Sequence, residues 1–209
     1  MAGPTAKVRT NVLHDYANHT YNIQLYAITQ GGFNKISQGA ISIGRENDIV
    51  SDGSLLISNG GVGNGETRAS EFPTDFVIDN LEIESLITGG GNRMAHNATN
   101  IKFTVTEPNG ITLINNLYQA VSSVYKQTNI PYAIAQYCLV IRFYGYDDNG
   151  NLVQVGKDRN SSTDARAVVE KFYPFLITNI KFRLANKIVE YNVEAKAIPH
   201  TVGFGQDLG

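Results

Sequence analysis

Strict alternation of apolar and polar residues marks residues 171–200, KFYPFLITNIKFRLANKIVEYNVEAKAIPH. Ile180, Phe182 and Leu184 alternate with Asn179, Lys181 and Arg183. After a short turn, Tyr191, Val193, Ala195 and Ala197 alternate with Glu190, Asn192, Glu194 and Lys196. A period of two sends successive side chains to opposite faces of a strand, so this segment predicts a hairpin with one buried and one wet face. The wet faces oppose Lys and Arg on one strand to Glu on the other, and each such pair contributes about 0.2–1 kcal/mol.

The same period recurs upstream. Over residues 20–29, Tyr21, Ile23, Leu25 and Ala27 share one face, with Asn22, Gln24 and Tyr26 on the other. A short strand, AISIG, begins at Ala40. In DFVIDNLEIESLITGGGN, Val77, Leu81, Ile83 and Ile87 are expected inward and Asn80, Glu82 and Glu84 outward. NIKFTVTEPNG turns Ile101, Phe103 and Val105 inward, and QYCLVIRFYGYDDNGNLVQVG reads as a second hairpin turning at Asp148, Asn149 and Gly150. Helical spacing governs Ile111 to Lys126, where Ile114, Leu117, Val121 and Val124 recur at three- and four-residue steps. Asn109 or Thr112 can cap its first turn, and Glu107 beside it favours the positive helix end by roughly a few tenths of a kcal/mol. Residues 156–170 are polar, with a turn of helix at DARAVVE. A helix with one apolar stripe must cover a sheet. The expectation is a mainly β, α+β domain: an antiparallel β-barrel or sandwich with one helix packed on its outside. It comprises an arm (1–18), a single domain (19–200) with a glycine-rich insertion at 46–73, and a segment (201–209) that is a tail or the start of a further unit. The insertion, rich in Gly, Asn and Ser, cannot offset its ordering entropy alone and is expected to be either mobile or ordered by a neighbour.

Composition narrows the function classes. The chain has 209 residues with 42% hydrophobic, enough for a packed core, but only 17% charged, which suits β-rich contact surfaces. A net charge of −2 offers no basic field for a nucleic-acid backbone. Cys138 is the only cysteine, which excludes an internal disulfide and a thiolate metal cage; its apolar run predicts a buried thiol. MAGPTAKVRT lacks a hydrophobic signal region, and no apolar stretch approaches the roughly 20 residues of a spanning helix. Folding in a reducing cytoplasm is expected, and the glycosylation-type triplets at Asn18, Asn97 and Asn160 then mean little.

Catalytic signatures are absent. His14, His19, His96 and His200 are scattered without a second ligand at metal-site spacing. Asp147, Asn149 and Asn151 alternate as in a calcium loop, but Leu152 replaces the required glycine and Asp158 the bidentate glutamate, so a hairpin turn is the better reading. GGVGNG and GGGNR lack a following Lys-Ser/Thr, and no Gly-x-Ser-x-Gly elbow occurs. Glu82, Glu84 and Glu107 could act as acid–base partners only if a cleft brought them together; two glutamates at i and i+2 on a strand read as a solvated face. Tyr132, Tyr137, Tyr144 and Tyr146 cluster near one hairpin, where core and interface packing outweighs a sugar platform in a chain without tryptophan. No enzyme, cofactor or metal is expected.

Three segments resemble bacteriophage virion structural proteins: NVLHDYANHTYNIQLYAIT as an opening anchor, link and first strand; NATNIKFTVTEPNGITLINNLYQA as a strand–turn–helix block; and FYPFLITNIKFRLANKIVEYNVEAKAIPH as a closing hairpin. The resemblance covers less than half the chain. It implies a tail or baseplate component of the virion, a hub or tube-like antiparallel barrel assembled as a trimeric or hexameric ring in the host cytoplasm. Implied partners are other copies and other tail or baseplate proteins, with DNA only in passing through a channel. Val12, Leu13, Tyr16, Tyr132, Tyr144 and Tyr146 are then subunit contacts, and Asn80, Glu82 and Glu84 channel-facing residues that repel DNA. The long glycine-rich insertion departs from short tube proteins. The alternative reading is a β-sandwich module that recognises a host glycan or a partner protein.

Overall fold

The computed structural model describes residues 11–37, 53–58, 76–86, 98–108, 110–126, 131–151 and 169–198. A 3-10 turn (Val12–Asp15) leads into β1 (Asn18–Ile28) and α1 (Gln30–Ser37). Then follow β2 (Gly53–Ser58), β3 (Val77–Leu86), β4 (Ala98–Glu107) and α2 (Leu113–Tyr125). A second 3-10 turn (Tyr132–Ile134), β5 (Gln136–Tyr146), β6 (Val169–Ala185) and β7 (Ile188–Ala197) complete the order.

The strands form one seven-stranded sheet in the order β2-β1-β5-β6-β7-β4-β3, and every pairing is antiparallel. The sheet curls into a half-barrel. The expected mainly antiparallel β architecture is present, as a half-barrel: β2 and β3 lie at opposite ends of the strand order and share no ladder among the described residues. α2 packs against β2 and β1. Its Leu113, Leu117, Ala120 and Val121 are buried in one core with Leu25 of β1, Phe103 of β4, Leu139 of β5 and Tyr191 of β7. The face carrying this core is the inner face.

β1 and β5 are buried on both faces, which explains why YCLVIRF shows no clean alternation. On the outer face, Tyr26, Ile28, Cys138 and Val140 form a second core with Ile36 and Phe33 of α1. Sequence periodicity missed α1 because QGGFNKIS is short and carries two glycines, poor helix formers, in its first turn. Tertiary packing and a cap compensate: the Gly32 amide donates to Thr29 Oγ1 at 3.1 Å.

The glycine-rich insertion expected over 46–73 contains β2, whose backbone pairs with β1 from Gln24↔Ser58 to Ile28↔Gly53. That neighbouring strand supplies the partners that the segment lacks on its own. The arm expected over 1–18 gives way at Asn18 to β1, and Tyr16 packs where a Cβ on Gly145 would lie 2.5 Å from its ring. The expected strand AISIG and segment 201–209 lie outside the described residues, as does the return arm of the second hairpin; of the helical turn expected at DARAVVE, only Val169 and Glu170 are described, and they open β6 as strand.

Two bulges reset side-chain parity. The β3–β4 ladder shifts between Asp79 and Glu82, with Asn80 in the left-handed region at φ 51°. Before it, Phe76 and Ile78 face the core; after it, Leu81 and Ile83 pack against the core. Val77, expected inward, is therefore exposed. In β6 the ladder to β7 shifts between Ile177 and Asn179. Phe175 and Ile177 face inward before the shift, and Ile180, Phe182 and Leu184 after it, opposite Val193, Tyr191 and Val189. The hairpin closes through Asn186 and Lys187, both with positive φ (53° and 65°), as a tight two-residue turn requires.

Leu117 is 1% exposed at the centre of the α2 stripe. Leu117→Ala is expected to lower unfolding free energy by about 2–5 kcal/mol, read as a drop in the urea midpoint with an unchanged slope.

Candidate subunit-interaction surface

The candidate catalytic carboxylates are not brought together. Glu82 and Glu84 are exposed on the outer face of β3, whereas Glu107 is 0% exposed on the inner side at the end of β4. Glu107 instead organises the start of α2. Its Oε1 accepts from the Thr112 amide (2.8 Å) and hydroxyl (2.8 Å); its Oε2 accepts from the Thr112 amide (2.9 Å), the Leu113 amide (3.2 Å) and the Tyr191 hydroxyl (3.0 Å). Thr112 does occupy the N-cap position, but makes no side-chain cap bond, because its hydroxyl donates to Glu107. Asn109, the other expected cap, lies outside the described residues. Burial, followed by the adjoining Glu107, pushes the Tyr191 phenol well above its ordinary range. A Cβ at Gly110 would lie 2.6 Å from Glu107 Oε1, so the chain keeps glycine where it turns around this carboxyl.

Among the described residues, no group of three or more His, Cys, Asp or Glu could hold a metal ion. The Asp147 segment is a closed turn: Asp147 Oδ1 accepts from the amides of Asn149 (2.9 Å) and Asn151 (2.8 Å), and Asn151 Nδ2 donates to Oδ2 at 3.2 Å. These bonds, led by the Asn151 amide, hold the Asp147 carboxyl below its usual range. His14 and His19 are exposed, the latter beside Phe143 at 6.4 Å between ring centroids; His96 and His200 lie outside the described residues. Cys138 is buried, and burial pushes its thiol up to about 12.

The tyrosine cluster disperses over both faces. Tyr137 stacks on Phe175 in the inner core and donates to the Tyr132 carbonyl at 2.7 Å. Tyr144, expected as a subunit contact, is 1% exposed and offers no surface to a neighbour, because β5 is covered on both faces. Leu13, Tyr16, Tyr132 and Tyr146 are half-buried; Val12 opens the first 3-10 turn. A feature that sequence reading missed is the buried polar set Asn22, Gln24 and Arg142 on the outer face of β1 and β5. Gln24 Oε1 accepts from Tyr26 Oη at 2.8 Å, and Asn22 and Arg142 are cross-strand partners.

The exposed surface gathers elsewhere. β6 pairs with β5 only through Phe175, and with β7 from Phe175 to Ala185. Residues 176–185 therefore have no strand on the β5 side among the described residues. This stretch carries Phe182 (59% exposed) and Leu184 (67%) on its inner face, although the sequence pattern predicts them buried. No described element extends over them. Ile134, 69% exposed, stands at the start of this edge in the turn that contacts β6. β2 and β3 stand at the two ends of the strand order. Around these edges, the outer face is mixed in sign: Lys181 and Arg183 on β6, Glu190 and Glu194 on β7, Lys102 on β4, and Asp79, Glu82 and Glu84 on β3. The predicted hairpin charges do pair, with Lys181 Nζ 3.9 Å from Glu194 Oε1.

Comparison with known proteins returned no matching family model, curated protein or solved structure. Among the described residues, no helix is long and apolar enough to cross a membrane.

Two expectations follow. Glu107→Ala strands two amides and two hydroxyls and is expected to cost roughly 3–5 kcal/mol, measured by denaturant unfolding. The lowered Asp147 pKa stabilises the fold fully above the ordinary carboxyl value of 3.8, and that stabilisation is lost as pH falls through the lowered pKa. The melting temperature of Asp147→Ala should thus trail the wild type at neutral pH and converge with it in strong acid.

Proposed function

We propose that this chain is a structural component of a bacteriophage virion, forming a ring or hub in the tail or baseplate through β contacts between subunits. The observation behind this reading is the stretch 176–185 of β6, which among the described residues has no strand on its β5 side, with Phe182 and Leu184 exposed beside it. An uncovered edge with apolar flanks is a template for another strand, and soluble proteins normally blunt such edges. Assembly removes the liability. The resemblance of three segments to virion structural proteins supplies the setting, and the low charged fraction of 17% fits extensive protein contact. On this reading the work is mechanical rather than catalytic, the partners are further copies and other tail or baseplate proteins, and the destination is the virion.

Light scattering coupled to size-exclusion chromatography should show a defined oligomer of the purified full chain, and negative-stain micrographs should show closed rings. Immunogold against the chain should label the tail or baseplate of virions. A compact single unit at high concentration that binds glycans on an array would replace this reading with that of a recognition module.

A further inference from the structure

We infer that the Asn149–Gly150 peptide, in the turn after β5, is a self-modifying site: its asparagine deamidates spontaneously, at a rate that Asp147 holds down. The chemistry needs no partner and stands apart from the ring reading above.

Asn-Gly occurs four times in the sequence, at Asn59, Asn64, Asn109 and Asn149, and only the last pair lies wholly within the described residues. Deamidation requires that a backbone nitrogen reach the carbonyl carbon of the preceding side chain, uncrowded and in water. Glycine meets the second condition, because no Cβ stands beside the attacking nitrogen. Even a Cβ built at Gly150 would find nothing within 4 Å, so the surroundings add no crowding. Asp148, Asn149 and Gly150 are all exposed. The Asn149 carboxamide makes no hydrogen bond among the described residues, so it can turn toward the chain.

The step balances without an oxidant or a cofactor. Gly150 N gives up its proton and attacks Asn149 Cγ. The Cγ–Nδ2 bond breaks, Nδ2 takes a proton, and ammonia leaves a five-membered succinimide. Water then opens the ring at either carbonyl, giving aspartate or isoaspartate. Asn151 provides an internal contrast. Its Nδ2 donates to Asp147 Oδ2 at 3.2 Å, and the residue after it is leucine.

The turn sets the rate. The Gly150 amide donates to the Asp147 carbonyl at 3.0 Å, which retains the proton that must depart. On either side, Asp147 Oδ1 fixes the amides of Asn149 (2.9 Å) and Asn151 (2.8 Å), and the Asp147 amide donates to the Asn151 carbonyl at 2.9 Å. Attack waits for this frame to open locally. Conversion then prevents its return. Aspartate adds a third carboxylate beside Asp147 and Asp148. Isoaspartate routes the main chain through the former side chain, one methylene longer, between amides that Asp147 holds. The loosened turn adjoins Tyr146, whose carbonyl accepts from the Ala17 amide at 3.1 Å.

The test ages the folded full chain in warm, mildly alkaline buffer and follows each asparagine by peptide mass spectrometry. Electron-transfer fragmentation separates aspartate from isoaspartate. Wild type should gain one mass unit at Asn149 and none at Asn151. Asp147→Ala, its fold checked by circular dichroism, should convert Asn149 about tenfold faster. Asp147→Asn keeps an acceptor at Oδ1 and should stay near the wild-type rate. Equal rates in wild type and folded Asp147→Ala would overturn the guarding role. An Asn149 that stays intact in folded wild type while the urea-unfolded chain converts it would overturn the site itself. Should Asp147→Ala not fold, wild type against its own urea-unfolded chain decides: conversion about tenfold slower in the fold is expected, and equal rates reject the proposal.

Discussion

The Glu107 carboxyl is the point on which the inner architecture turns. It ends β4, receives the first amides of α2 and accepts the hydroxyl of Tyr191 from β7. Two strands and the helix of the inner core are thereby indexed to one another around a single carboxyl. A buried carboxyl is costly unless its lone pairs are used, and here the donors converge on both oxygens. The positive end of the helix adds a favourable field. With the helix start held, its apolar stripe meets the inner faces of the strands, and the sheet has something to curl around.

That curl depends on strands whose faces are consistently assigned, and the bulges in β3 and β6 are where consistency would otherwise fail. In β6 the run FLITNIKFRL shifts its apolar parity between Ile177 and Ile180, and the ladder shifts there too. Thr178 Oγ1 donates to the Glu194 carbonyl at 2.9 Å, tying down the displaced segment. In β3 the corresponding shift falls at Asn80, a residue type that tolerates the left-handed region better than most.

Much of the fold was legible because it rests on periodicity. The terminal hairpin, the inward set Ile101, Phe103 and Val105, the helix at Leu113–Tyr125 and the burial of Cys138 all follow from spacing and local apolarity. Less legible were features set by tertiary neighbours. Nothing local says that Arg142 is 1% exposed; this follows from its place on a strand covered on both faces. Likewise β2, GSLLIS, is a six-residue strand without alternation inside a glycine-rich stretch, and it gains its partners from β1. Val77 was misplaced because one continuous alternation was read through a bulge. Phe182 and Leu184 show the opposite failure: the pattern assigns their face correctly, but not whether anything covers it. The candidate interaction surface was thus visible in the sequence only as a buried face.

The two halves of the sheet meet at a narrow waist. β6 bonds to β5 up to Phe175 and to β7 from Phe175 onward, so the ladders overlap at one residue, reinforced by the Ile198 amide donating to the Pro174 carbonyl at 2.9 Å. Hydrogen bonds shared across the waist are few, and a load that pries the halves apart would bear on side chains instead. Phe175 stands there as a rivet, stacked on Tyr137 of one half and edge-on to Phe103 of the other, at centroid distances of 5.9 and 6.0 Å. Stiffness within each half and compliance between them are thus written into a single long strand.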